Sequence, residues 1–219
     1  AMLSRGEAFT YRTAAIENMS SFPAESKAKA IESGSTVFFA TRRGDYGGLY
    51  QMSKTNAQDS RMDAVDISTH IPQYIVGNVT KLAAHPRENI VAVVTDTGRD
   101  SIYFYNYFVS EGRLFQNAWW KATFHDSEIH EIAFVDNDLV IFVRHASGFY
   151  IEKMVFKSGQ VDTGLTYLNH LDRKFTVTAG TYDAATDTTP IQAPAGYKFE
   201  DTAPMQTISE DGVIPTIAS

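Results

Sequence analysis

The densest run of side chains able to do chemistry in this sequence is His125-Asp126-Ser127-Glu128-Ile129-His130-Glu131. Imidazoles beside carboxylates are the ingredients of a hydrolytic metal site or a general acid–base pair. The spacing favours neither. His125 and His130 are five residues apart, which does not align them on one helical face, and in a strand they point to opposite sides. A polar turn leading into the next strand accounts for the same residues. His85 precedes Pro86 and His145 lies beside Ser147-Gly148, so both are expected at strand ends. Asp96-Thr97-Gly98-Arg99-Asp100 carries the D-T-G of aspartic proteases, but no second copy exists, and Asp and Gly are ordinary hairpin-turn residues. The carboxylate pairs Asp136/Asp138 and Glu210/Asp211 would suit glycoside hydrolysis by type, yet both are expected in hairpin turns. Arg43-Gly44-Asp45 is an integrin-type tripeptide inside the Gly-rich stretch RRGDYGG, again a turn composition. Trp119-Trp120 could stack on sugar, but in a strand one ring faces the core and the other faces out, which suits sheet packing or a partner interface. No G-x-S-x-G, H-E-x-x-H or phosphate-binding Gly-rich loop occurs. No residue is therefore assigned to catalysis, to a cofactor or to a metal.

The segment Asp66–Ile75, DISTHIPQYI, holds a carboxylate and an imidazole beside a proline. Pro72 pushes Ile71 away from helix, so an extended or turned connector is expected. Ile67, Ile71, Ile75 and Tyr74 would anchor it in a neighbouring sheet while His70 and Gln73 stay polar.

The elements around these residues read as mainly β. Tyr and Phe number 11 and 14 in 219 residues, a bias toward strands. The absence of cysteine excludes disulfides and thiolate metal sites. The formal net charge of −7 gives no basic surface for gripping nucleic acid. No apolar run approaches the roughly 18 residues of a membrane span. Ala1-Met2 reads as an expression scar and GVIPTIAS carries no stop signal, so an internal piece of a longer protein is expected.

Along the chain, the Ala/Glu/Lys-rich composition of 7–33 predicts a short helix over Glu25–Glu32, opened by Phe22-Pro23-Ala24 and closed by Gly34. From Val79 the rhythm is VTKLAAH, PREN, IVAVVTD, TGRD, SIYFYNYFV, SEGRL, NAWWKATF. A second round follows as IHEIAFV, DND, LVIFVRH, ASG, FYIEKMVF, KSG, QVDTGL. Val79 and Ile129 open the two rounds about fifty residues apart, and residues 35–53 hold part of a third. Such a period, with four short strands each, predicts antiparallel four-stranded propeller-like blades whose inner strands are apolar throughout. They are too few here to close a propeller alone. The expected division is a helical or extended lead segment, 1–34; blades, 35–171; and a small β-rich module, 172–219, with a hairpin at Glu210-Asp211-Gly212.

The ordered landmarks of the chain carry a resemblance. DISTHIPQYI fits the form D-I-[ST]-x-H-[IV]-P-x-Y-[IV] through Asp66, Ile67, Ser68-Thr69, His70, Pro72, Tyr74 and Ile75. It is followed by Ile102–Tyr105, by Gln116–Trp119 and by Gly180-Thr181-Tyr182. In this the chain resembles the nozzle proteins (tail tubular protein B) of short-tailed podoviruses, from about residue 35 to its end. The resemblance implies a structural protein of the virion tail, not an enzyme. It implies assembly into a sixfold ring below a tail adaptor protein, docking of tail fibres, and a channel through which DNA is ejected without specific binding. The alternative function is a tail glycan-binding or polysaccharide-degrading β-propeller module.

Overall fold

The computed structural model describes residues 2–3, 15–16, 21–54, 62–85, 87–110, 113–156, 180–186 and 188–192. A two-stranded pair joins β1 (Met2–Leu3) to β2 (Ala15–Ile16). The main body is three antiparallel sheets in which chain neighbours are always sheet neighbours. The first holds β3 (Ile31–Ser33), β4 (Thr36–Arg43), β5 (Tyr46–Lys54) and β6 (Met62–Asp66). The second holds β7 (Val79–His85), β8 (Ile90–Thr95), β9 (Ser101–Ser110) and β10 (Arg113–Thr123). The third holds β11 (Glu128–Val135), β12 (Asp138–His145) and β13 (Gly148–Val155). Tight turns set the registers. Arg43 pairs with Tyr46 across a two-residue loop whose Gly44 has φ +63°, a left-handed conformation that glycine adopts at least cost.

The second sheet lies between the other two. All six residues of β8 are buried, because side chains alternate between two cores. Val91 and Val93 join Phe38, Leu49, Ile67, Ile75, Tyr103 and Tyr105 in the first core. Ile90, Ala92 and Val94 join Ile102, Phe104, Ile132, Leu139 and Ile141 in the second. The opening strands lie together, with β7 against both β3 and β11.

Two expectations are corrected here. The sheets are open and do not close into a propeller. Strands buried on both faces occur in the first and second sheets, at Phe38–Thr41 of β4 and throughout β8, whereas the described strands of the third sheet leave one face exposed. β12 is not buried throughout as LVIFV suggested: Ile141 and Val143 are buried, whereas Phe142 between them is 40% exposed. β13 alternates between half-buried and exposed along its whole length, with Phe149 and Ile151 on the exposed face. An apolar run alone does not distinguish a strand covered on both faces from one that leaves a face bare. The fourth strand expected after KSG lies outside the described residues.

The second correction is the helix over Glu25–Glu32. No helix occurs among the described residues, at the N-terminal end or elsewhere. The Glu25 N–H bonds the Ala40 carbonyl at 2.7 Å, Ala28 enters the first core, and Ile31–Ser33 pairs with β4. Helix propensity differs by only tenths of a kcal/mol per residue, so sheet pairing and burial override it. Gly34 does end a segment, but as the turn between β3 and β4, at φ +62°.

Candidate functional site

The most heavily organised feature outside the sheets is the connector from Asp66 to Asn78, which carries the chain from the first sheet into the second. Its entry is an Asp-initiated turn. The Ser68 N–H and hydroxyl both donate to Asp66 Oδ1, at 2.9 and 2.8 Å, and Arg43 pairs with the same carboxylate group. Ser68, buried at 1% exposure, also accepts the Leu49 N–H at 3.0 Å. A short polar side chain thus satisfies a main-chain donor that water cannot reach. Ile67 donates its N–H to the Leu49 carbonyl at 3.1 Å, and its own carbonyl takes the Trp119 indole N–H at 3.2 Å.

The exit is fixed as firmly. Gly47 N–H bonds the Ile75 carbonyl at 2.9 Å, and Gly77 N–H bonds the Asp45 carbonyl at 3.0 Å. Ile75 is fully buried, Ile67 is buried, and Ile71 packs against the same core. Tyr74 stays 37% exposed with its ring edge-on to Tyr103. His70 and Gln73 are exposed. The anchoring expected of DISTHIPQYI is what the structure shows, with Tyr74 lying on the core surface rather than inside it.

Asp96, first residue of the D-T-G stretch, locks the end of the connector. It accepts the Asn78 N–H at 2.8 Å and the Asn78 amide at 2.9 Å, and Lys27 stands 3.6 Å away. The Asn78 side-chain hydrogen bond, more than any other contact, lowers its carboxyl from 3.8 to about 2. Because the folded value is the depressed one, the contribution is fully present above pH 3.8 and fades as pH falls toward about 2. For this partly exposed group it is on the order of 1–2 kcal/mol. Asp96→Asn is expected to remove that share of the acid sensitivity, so that denaturant midpoints of parent and variant converge between pH 4 and pH 2. Parallel curves over that range would refute the assignment.

The other candidate residues fall into structural roles. Arg43 of the tripeptide is committed to Asp66 and Gly44 is the β4–β5 turn. In the His125–Glu131 run, Asp126 takes the turn at φ 55° and Glu128 is paired with Arg99, with Arg144 at 3.8 Å and His130 at 3.7 Å. The Arg99 hydrogen bond leads in lowering the Glu128 carboxyl. His130 lies edge-on to Phe149, with ring centroids 5.3 Å apart. Among the described residues no three His, Asp or Glu side chains are grouped to hold a metal. Asp136 and Asp138 do sit at the β11–β12 turn, with Lys153 pairing Asp138 at 2.9 Å. Glu210 and Asp211 lie outside the described residues. His145, at the end of β12, is buried between Ser127, 3.1 Å from Nδ1, and Glu152, 2.8 Å from Nε2, a pairing that its sequence neighbours do not reveal. Trp119 packs on Tyr105, and Trp120 stacks on Phe104 at 4.1 Å from the opposite face. The two rings cap different cores.

This geometry is one of joints rather than of a reacting centre. The bacteriophage nozzle protein family matches residues 1–218. The chain belongs to that family. It is also similar to tail tubular protein gp12 of Escherichia phage T7, at 22% identity over 200 residues that make up 90% of this chain and 25% of that protein. The chain therefore spans about a quarter of the length of the curated relative it matches. Nozzle proteins are structural components of the virion tail, and the nozzle-like landmarks noted in the sequence fall on the joints just described. Asp66–Ile75 is the connector, Ile102–Tyr105 is the buried first half of the core strand β9, and Trp119 of Gln116–Trp119 fastens the connector to β10. Gly180 donates its N–H to the Pro190 carbonyl at 2.8 Å, within a small turn where Asp183 and Thr188 pair.

Proposed function

We propose that this chain forms part of the wall of a phage tail tube through which DNA passes without specific binding. In the whole protein this wall belongs to a ring of copies, six by family resemblance, that meets a tail adaptor protein and tail fibres. The observation that carries the reading is the nozzle family match over residues 1–218. The charge balance supports it: 26 acidic against 19 basic residues give a net negative chain that repels phosphate rather than gripping it. Basic pairs are few. Arg43 is neutralised by Asp66, and Arg42 bonds the Gly44 carbonyl at 2.8 Å; Arg173-Lys174 lies outside the described residues. As part of the same proposal, residues 172–219 form a small β-rich module apart from the sheets of 35–171, and residues up to about 34 lead into them.

Fluorescence anisotropy with a labelled duplex tests the passive conduit. No submicromolar binding is expected at physiological salt, because specific binders neutralise roughly 6–10 phosphates with clustered Lys and Arg. Submicromolar binding that weakens steeply with added salt would replace the passive wall with a gripping one.

A further inference from the structure

The corner where the second sheet hands the chain to the third is tied to a buried imidazole. β10 ends at Thr123 and β11 begins at Glu128. Main-chain bonds fix both ends of the corner: Phe124 N–H to the Asp100 carbonyl and Ile129 N–H to the Arg99 carbonyl, each at 2.7 Å. Between them, the Ser127 hydroxyl lies 3.0 Å from the His125 carbonyl oxygen and 3.1 Å from His145 Nδ1. His145 Nε2 lies 2.8 Å from a Glu152 carboxylate oxygen. The His145 side chain is 1% exposed, so its partners are these groups and not bulk water. Tyr150 of β13 packs on the ring with centroids 5.3 Å apart. Arg144, next along β12, points to the opposite face, with Glu128 3.8 Å away.

Counting protons decides how these contacts combine. An ionised carboxylate and a carbonyl only accept, and a hydroxyl has one proton to give. Glu152 therefore requires a proton on Nε2. When Ser127 gives its proton to the His125 carbonyl, its oxygen must accept from Nδ1–H, and the ring carries both protons. When Nδ1 is bare, the Ser127 hydroxyl turns to it and the His125 carbonyl loses this partner. All three contacts are made together only by the doubly protonated ring. We infer that His145 is a proton-operated clasp on this corner. It is closed at low pH, with Ser127 joined to both His125 and the ring. It opens as pH rises, because Nδ1 is the nitrogen free to shed its proton while Glu152 holds the one on Nε2. The corner it releases contains Asp126 at φ 55°, a left-handed conformation that needs local support.

The test is long-range proton–nitrogen NMR of the imidazole rings in the full 219-residue chain, taken from pH 9 to pH 5. His125→Gln and His130→Gln are introduced first, so that no other imidazole of this corner titrates beside His145. As pH falls, His145 Nδ1 should pass from bare to protonated while Nε2 stays protonated throughout. The main-chain amide shifts of Asp126 and Ser127 should follow the same midpoint. Ser127→Ala, at a half-buried position, should abolish that amide response and leave the ring titration in place. Glu152→Gln, which keeps the shape without the charge, should lower the pH at which Nδ1 gains its proton. Four results would overturn the inference: an Nδ1 that does not change over this range, proton loss from Nε2 in its place, corner amides that respond alike with and without the Ser127 hydroxyl, or a midpoint unmoved by Glu152→Gln.

Discussion

Replacing Gly77 by alanine should lower the thermal midpoint by about 6–12 °C, the equivalent of roughly 3 kcal/mol in a domain of this size. Two costs combine. Gly77 has φ +88°, outside the ordinary range of an L-residue. A Cβ there would also stand 2.7 Å from Thr97 Cβ and 2.9 Å from Asp96 Oδ1. Thr97 Cβ is fixed to the main chain, so a rotamer change cannot relieve the clash. The turn after β8 or the connector must move, and the Asp96–Asn78 hydrogen bonds move with it. Gly34 supplies the comparison, since it shares a positive φ of 62° but has open space around it. Gly34→Ala should cost only about 1 kcal/mol. Equal midpoints for the two variants would show that the close approach at Gly77 carries no energy.

Ile141→Asp should cost at least about 4 kcal/mol or abolish folding. Ile141 is 1% exposed and lies in the second core with Phe104, Ile132 and Leu139, where a carboxylate finds no cation. Phe142→Asp, one residue along and 40% exposed, should stay within about 1–2 kcal/mol. Chemical denaturation of the pair checks the alternation directly. If both variants lose similar stability, the two positions are equally buried and the outer face of the third sheet is covered.

The contrast between these neighbours marks what local sequence can convey. The strands from Val79 to Val155 were legible because each is a short apolar or alternating run stopped by turn residues such as Gly98, Asp136-Asn137 and Gly148. The helix over Glu25–Glu32 was misread because Ala and Lys propensities are weak terms, and the decisive partner, β4, begins only at Thr36. The propeller-like arrangement was misread because a repeat of strands does not state how the sheets will stack or how many faces will be covered. In the connector, isoleucine spacing and Pro72 revealed an anchor, but the Arg43–Asp66 pair spans 23 positions and the Trp119–Ile67 bond spans 52. Such contacts leave no periodic trace. His85 was legible as a strand-end residue, but its burial against Phe134 and its capping of the Arg87 and Glu88 N–H groups depend on neighbours that local sequence does not name.

The order of the strands has a kinetic consequence. Every pairing in the three main sheets is between consecutive strands, so loop closure within a sheet is short and entropically cheap. Each sheet has all of its own strands as soon as its stretch of chain leaves the ribosome, and synthesis at about 5–20 residues per second leaves seconds between one sheet and the next. The bonds that wait are those reaching back to Asp66–Asn78, above all Trp119 to Ile67. Folding of this chain is therefore expected to run as a vectorial series of local events, in which the connector can dock under β10 only once Trp119 has been made and the third sheet follows.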